Sequence, residues 1–299
     1  MATGLSLSST SNLSSGQKIL VANAKMAFEP AAPNPDLVDV QRIPQGHKQW
    51  DVLSWARFGN ASALTEGVDL AQSEQLVTNS LSITPAEHGI IATISKRLIR
   101  RQGDADAAAA SGRMLAASLR RRMDLDVIAL YDSFTKTTPG ASTALDITHF
   151  RGSVAYLMTD NNSSYGPAQM PVHAALHIEQ ISDIINDLTD ISGTATSNAP
   201  FAAGLSAEMV QRWWRGSDRL YGVPVFHGGN IERDSSDDSK GAIFNKEALV
   251  LVMANEAEVT EQDDKSLRAI EYGIFQEWSE AERADTHGVE IYSDTTATI

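Results

Sequence analysis

The chain has 299 residues, of which 42% are hydrophobic and 21% charged, and it has a formal net charge of −14 and no cysteine. This composition is typical of a globular protein with a core of its own, and the missing cysteines exclude disulfides, thiolate metal sites and cysteine nucleophiles. The negative charge argues against a protein that wraps nucleic acid by neutralising phosphates, but it is compatible with one that encloses the polymer without gripping it.

The first 45 residues predict an arm that lacks a core of its own. A Ser- and Thr-rich start is followed by one short apolar segment at 18–29, and residues 30–36 contain three prolines. Proline removes an amide donor and restricts the residue before it, so a continuous helix is excluded here. The start of the chain has no signal-peptide pattern, and no apolar run reaches the length of a membrane span, so we expect a cytoplasmic protein without a membrane partner.

Residues 46–99 predict an extended two-stranded hairpin. Stretches rich in strand-forming residues lie at 48–57 and 76–99, and the segment between them is polar and contains two glycines. A hairpin of this kind is only marginally stable alone, so it needs a surface to lie on.

Residues 104–134 predict the longest helix of the chain. Asp104 and Asp106 suit its N-terminal end, and the helix would be about 45 Å long at a rise of 1.5 Å per residue. The apolar residues that recur every three or four positions are Leu115, Leu119, Met123, Val127, Leu130 or Tyr131, and Phe134. Three consecutive arginines at 120–122 cannot all point into a core, so part of this helix meets solvent or a partner.

The rest of the chain predicts shorter helices followed by strands. Helices are expected at 144–160, 177–190 and 206–216, and short strands separated by turns begin at 219. Because helices and strands do not alternate regularly, the pattern favours an α+β fold. The apolar stretch GAIFNKEALVLVMAN at 241–255 predicts two strand pieces, buried on both faces, at the centre of one sheet.

The sequence offers no convincing catalytic, metal or cofactor site. His173 and His177 would share one face of a helix, but Ala174 stands where a zinc-protease motif needs glutamate, so a structural pair is favoured. The HGGN stretch at 227–230 lacks the Gly-x-Ser-x-Gly elbow that an oxyanion loop accompanies, and the acidic clusters lack the spacing of a calcium loop. The basic stretch at 96–102 can meet either phosphate or another subunit.

Three motifs in the last third of the chain resemble those of a known family. They are LYGVPVFHGGNI at 220–231, KGAIFNKEALVLVM at 240–253 and EYGIFQEWSEAERADTHGVEIYSD at 271–294. They resemble the strands of the major capsid (coat) proteins of tailed bacteriophages, including the Gly-hydrophobic-Pro-Val element at Gly222 to Val225. The upstream order of arm, long hairpin, long helix and compact domain is also similar to that of these proteins.

The resemblance implies the α+β fold of tailed-phage major capsid proteins, with five parts. Residues 1–45 would be the N-terminal arm, 46–99 the extended hairpin, and 100–165 a peripheral domain with the long spine helix. Residues 166–269 would form an axial domain with a central mixed sheet, and 270–299 would return to the peripheral domain.

The resemblance also implies a structural role without catalysis, metal or cofactor. Such subunits assemble as pentamers and hexamers into an icosahedral shell that encloses double-stranded DNA without sequence-specific contacts. A portal and a separate scaffolding protein are expected partners, with assembly in the host cytoplasm and a final place in the virion capsid. The alternatives are an encapsulin-like shell around a cargo enzyme and, third, a metal-assisted hydrolase that uses His173, His177 and an acidic partner.

Side chains on the hairpin and the helix are the candidates for contact between subunits. They are Trp50, Trp55, Arg57, Glu66, Asp69, Arg97, Arg100, Arg101, Arg120, Arg121 and Arg122. Some coat proteins of this family link subunits covalently through a hairpin lysine. The tip at 58–75 contains no lysine, and Lys48 and Lys96 lie at its base, so a non-covalent shell is expected.

Overall fold

A computed structural model describes residues 32–61, 63–64, 66–67, 75–102, 104–159, 165–189 and 219–296. Most of the expected arm, the helix expected at 206–216, and Asp69 lie outside these residues, as does the side chain of Arg101.

Helices and strands both occur in the first part of the described chain, and strands dominate after α5. The helices are α1 (Asn34–Leu37), α2 (Lys96–Gln102), α3 (Asp104–Ala129), α4 (Ile147–Met158) and α5 (Ile178–Thr189), with 3-10 turns at Leu130–Ser133 and Asp285–His287. The strands are β1 (Asp39–Arg42), β2 (Trp50–Trp55), β3 (Thr78–Ile83), β4 (Ala86–Ser95), β5 (Thr137–Ala144), β6 (Val172–Leu176), β7 (Arg219–Leu220), β8 (Val223–His227), β9 (Asp238–Asn245), β10 (Leu249–Met253), β11 (Glu258–Asp264), β12 (Ala269–Glu282) and β13 (Gly288–Asp294).

The described strands form two mixed sheets and one separate hairpin. A five-stranded sheet has the order β1-β10-β12-β11, and β4 pairs with the other edge of β12. A six-stranded sheet has the order β5-β13-β9-β6-β8-β7, and β2 pairs with β3 alone. Parallel pairs (β1 with β10, β5 with β13, β6 with β8) occur beside antiparallel ones. This arrangement is the α+β class that the sequence predicts.

The expected long helix is present, and its apolar stripe is the buried face. α3 with its 3-10 extension covers 104–133, and the stripe from Leu115 to Phe134 joins one core cluster. Tyr131 is fully buried whereas Leu130 is only partly so, which decides between the two residues that the periodicity allowed. The helices predicted at 144–160 and 177–190 correspond to α4 and α5. No helix among the described residues is long and apolar enough to cross a membrane.

Strand β10 is buried on both faces, as its unbroken apolar sequence predicts. Leu249 and Leu251 belong to the cluster that includes the α3 stripe. Val250 and Val252 belong to a second cluster that includes Val52 of the hairpin. Successive side chains of a strand point to opposite faces, so the sheet lies between the spine helix and the base of the hairpin.

The two strand pieces at 241–255 lie in different sheets, so the prediction of one central sheet is wrong. The first piece belongs to β9 in the six-stranded sheet, and the second is β10 in the five-stranded sheet. The polar residues between them connect the two sheets. The side-chain oxygen of Asn245 accepts the Glu247 N–H at 2.7 Å, and its carbonyl accepts the Ala248 N–H at 2.9 Å. This turn redirects the chain from one core to the other.

The hairpin is shorter than predicted because the stretch 76–99 forms two strands and the start of α2. β3 pairs with β2, from Trp50 opposite Ile83 to Trp55 opposite Thr78, whereas β4 runs along β12. Pro85 lies between β3 and β4, where its missing N–H favours a break in the ladder. The surface that the hairpin needs is supplied at its base by its own subunit, where Val52 packs with Val250 and Val252.

Candidate assembly surfaces

The outer face of the hairpin is an exposed apolar surface. Side chains of β2 alternate, so that Val52 and Ser54 are buried whereas Leu53 and Trp55 point outward. The large apolar side chains of the described hairpin that are more than half exposed are Leu53, Trp55, Phe58, Leu64, Leu76 and Val77. Exposed apolar surface of this kind marks a site that another protein covers.

The other hairpin candidates lie at its base and tip. Trp50 is partly buried and packs against the cluster beneath the hairpin. Arg57 is exposed, and its Nη1 lies 3.8 Å from the position that a Cβ would take at Gly166. Glu66 is exposed beside Gly67, whose φ of 82° forms a turn that favours glycine.

A basic pocket opens where β4 ends and α2 begins. Its volume is about 380 Å³, and it is lined by Ser95, Lys96, Arg97, Arg100, Leu267 and Arg268. Lys96 forms an ion pair with Asp263 at 2.6 Å. No hydrogen bond or ion pair to any described residue involves the other three basic side chains. Arg97 and Arg100 are among the contact residues that the sequence predicts, whereas Arg268 is not, because the β11–β12 turn brings it from far along the chain.

The arginines at 120–122 do not act alike. Arg120 donates to the Ala32 carbonyl at 3.1 and 3.3 Å and to the Asp36 carboxylate at 2.6 Å, so it holds the segment before α1. Arg122 pairs with Asp126 one turn along the helix at 2.9 Å. Arg121 is exposed. Arg120 and Arg122 therefore have named partners within the subunit.

A buried polar network beneath Arg120 joins three segments. The Asp124 carboxylate accepts the Asn34 N–H at 3.0 Å and the Asn230 amide at 2.8 Å, and Tyr131 donates to the Asn34 side-chain oxygen at 2.9 Å. Burial raises the pKa of Asp124, while the bonds from Asn230 and Asn34 act to lower it. Burial also raises the pKa of Tyr131 well above its ordinary value. The sequence pattern did not predict this network, although Asp124 stands beside the apolar stripe of α3.

The histidine pair does not share a helix face, so that expectation is wrong. His173 lies on β6, and His177 precedes α5, where its Nδ1 accepts the Glu179 N–H at 3.2 Å. Burial lowers the pKa of both, that of His177 to about 4 with help from the nearby Arg233 and His227. Across the ranges that the structure covers, no group of three or more His, Cys, Asp or Glu residues is arranged to hold a metal ion.

Comparison with known proteins gives structural matches only. The sequence matches no protein-family model and no curated protein. The structure is similar to the head structure of Helicobacter pylori bacteriophage KHP40, with a TM-score of 0.69, 12% identity and coverage of 98% of both chains. It is also similar to the capsid structure of Helicobacter pylori bacteriophage KHP30, with a TM-score of 0.68, 12% identity and coverage of 99% of this chain and 100% of that one.

The structure is also similar to that of an encapsulin complex. The encapsulin complex from Synechococcus elongatus matches with a TM-score of 0.63, 9% identity and coverage of 98% of both chains. These likenesses extend over nearly the whole chain, and they show that it has the fold of phage major capsid proteins. The fold expected from the C-terminal motifs is therefore confirmed.

Proposed function

We propose that this chain is the structural subunit of a protein shell, the capsid of a tailed bacteriophage. The observation that carries the proposal is the likeness to phage head and capsid structures over nearly the whole chain. The exposed apolar hairpin supports it, because a neighbouring copy would bury this surface. The role is structural and involves no catalytic step.

The assembly that we propose is a closed icosahedral shell of pentamers and hexamers around double-stranded DNA. The net charge of −14 suits this role, since a negative wall lets packaged DNA slide instead of adhering. A portal and a separate scaffolding protein complete the particle, which assembles in the host cytoplasm. Uniform closed shells from the coat protein expressed alone would argue against the separate scaffold.

We assign the two sheets to the two domains of such a subunit. The five-stranded sheet with α3 is the peripheral domain, and the six-stranded sheet with α4 and α5 is the axial domain. On this assignment β10 belongs to the peripheral domain and β13 to the axial domain. The chain therefore crosses between the two domains more often than a division into consecutive residue ranges would allow.

Electron microscopy of the expressed protein tests the proposal. We expect shells of uniform diameter that contain nucleic acid when they are purified from infected cells. A small monodisperse particle would contradict the shell function. Shells that hold a protein cargo and no nucleic acid would favour the second candidate, an encapsulin-like compartment, which the likeness to the Synechococcus protein supports.

Variants of the hairpin test the surface that we assign to subunit contact. Leu64 is 76% exposed, so Leu64→Ser should leave the circular dichroism spectrum and the unfolding temperature unchanged while lowering the yield of shells. Met158→Ser at the exposed end of α4 is the matched control and should assemble normally. Equal yields from the two variants would show that the hairpin tip is not a contact.

We also propose that the shell is not covalently linked, since the 58–75 tip contains no lysine. Boiled mature particles should run as one monomer band on a denaturing gel. A ladder of linked subunits would overturn this proposal.

A further inference from the structure

The basic pocket at the start of α2 concentrates positive charge on an acidic chain. Lys96, Arg97, Arg100 and Arg268 line one cavity, although the whole chain has an excess of 14 negative charges. Only Lys96 has a carboxylate partner among the described residues. Guanidinium groups placed side by side repel one another, and a carboxylate between them removes this cost through charge-assisted hydrogen bonds. The pocket is therefore built for an anion.

The edge strand β11 carries unpaired negative charge on the same domain. All seven of its residues lie at the surface, and four of them are acidic. The carboxylates of Glu258 and Glu261 form no hydrogen bond or ion pair with any described residue. Val259 between them is 68% exposed, which is unusual for a large apolar side chain on a strand. The strand therefore presents charge and apolar surface to a partner.

One contact within the subunit shows that these two surfaces match. Asp263, at the end of β11, reaches Lys96 at the rim of the pocket. Glu261 precedes Asp263 by two residues, about 7 Å along the strand and on the same face, whereas Glu258 is about 17 Å away on the opposite face, so the two carboxylates flank the outer edge of β11. Their own strand therefore holds these two carboxylates away from the pocket, and Arg97, Arg100 and Arg268 stay available to another molecule.

We propose that the pocket receives β11 carboxylates from a second copy of this chain. The contact joins two different patches, so it is heterologous and can close a ring of subunits. A second copy fits better than nucleic acid because Asp263 of this same strand already pairs with Lys96 at the pocket rim, so β11 carboxylates suit these cations. This inference rests on the proposed shell function and names one partner surface within it.

Charge reversal on both sides tests the contact. Arg97→Glu with Arg100→Glu should lower shell yield at least about tenfold, and so should Glu258→Arg with Glu261→Arg. The chain that carries all four changes should recover to within about threefold of wild type, because the salt bridges re-form with opposite polarity. The control is Arg113→Glu with Arg151→Glu, which makes the same change in net charge at exposed helical sites and should assemble normally.

A cross-linking measurement separates this inference from the shell function itself. Because the chain has no cysteine, Arg97→Cys protein can be mixed with Glu261→Cys protein and treated with a bis-maleimide. We expect heterodimers that need both variants, and none when Arg151→Cys replaces Arg97→Cys. If the wild type forms shells but no heterodimer appears and the variant with all four changes does not recover, the inference is overturned while the proposed function stands. Normal shells with reduced DNA in the Arg97→Glu, Arg100→Glu variant would assign the pocket to nucleic acid and also overturn it. Failure of the wild-type protein to form shells would contradict the proposed function.

Discussion

The carboxylate of Asp124 accepts the backbone N–H of Asn34 at 3.0 Å, in the interior of the subunit. This bond fixes the start of α1 against the middle of the spine helix, and Asn230 holds the same carboxylate from the loop after β8. A buried carboxylate is costly unless donors surround it, and here two donors from distant segments satisfy it. The network thus ties the N-terminal segment, the spine helix and the β8–β9 loop at one point.

The first prediction concerns Tyr131→Phe, which removes the donor to the Asn34 side-chain oxygen. Tyr131 is fully buried, so the lost bond leaves an acceptor unpaired and should lower the free energy of unfolding by about 1–3 kcal/mol. Tyr292→Phe is the matched control, because the exposed Tyr292 hydroxyl bonds to Asp234 at the surface and its loss should cost under about 0.5 kcal/mol. Urea unfolding measures the loss of unfolding free energy in both variants. A loss for Tyr131→Phe as small as that expected for Tyr292→Phe would show that the buried bond contributes little.

Two glycine substitutions should have opposite signs. A Cβ at Gly288 would stand 2.1 Å from the ring of the buried Phe134, so Gly288→Ala should destabilise the fold by about 1–3 kcal/mol. A Cβ at Gly112 in α3 meets nothing within 4 Å, so Gly112→Ala should stabilise by about 0.5–1 kcal/mol through helix propensity. Thermal unfolding separates them, and a neutral Gly288→Ala would mean that Phe134 moves freely.

The third prediction concerns the stability of the fold at acidic pH. The folded state lowers the pKa of His177 from 6.5 to about 4, so it binds this proton less readily than the unfolded state. His177 therefore favours folding above pH 6.5, and this contribution is lost as the pH falls from about 6.5 through about 4. His177→Asn keeps an acceptor for the Glu179 N–H but cannot titrate, so its unfolding free energy should fall less over this range.

The measurement has to compare variant with wild type because Asp183 acts in the opposite direction. Burial raises the pKa of Asp183 to about 6, so its protonation favours the folded state as the pH falls below that value. Asp183 is present in both proteins and cancels in the difference. Parallel pH profiles of wild type and His177→Asn would contradict the prediction.

The fourth prediction tests the double burial of β10. Leu251→Asp would place a charge without a partner between the sheet and the spine helix, so we expect no soluble folded subunit. Val259→Asp on the exposed strand β11 is the control and should fold with stability within about 0.5 kcal/mol of wild type. Soluble Leu251→Asp protein with native circular dichroism would show that this strand is not core.

The candidate contact residues were predictable only in part. Arginines that crowd a short stretch, such as Arg97 and Arg100, stand out in a sequence because a core cannot hold them all. The pocket also needs Arg268, which lies more than 160 positions further along the chain. Arg120 shows the converse, since a side chain that pattern alone assigns to a partner binds Ala32 and Asp36 of its own subunit.

Features that depend on neighbouring residues could be predicted from the sequence. The stripe from Leu115 to Phe134 is a helix because its period is that of a helix, and the run Leu249–Met253 is a buried strand because neither of its faces tolerates water. Three other features result from long-range packing. β9 and β10 lie in different sheets, the hairpin base lies on its own subunit, and Asp124 is buried with its donors. These outcomes depend on which distant surfaces pack together and exclude water, and local periodicity does not specify which surfaces these are.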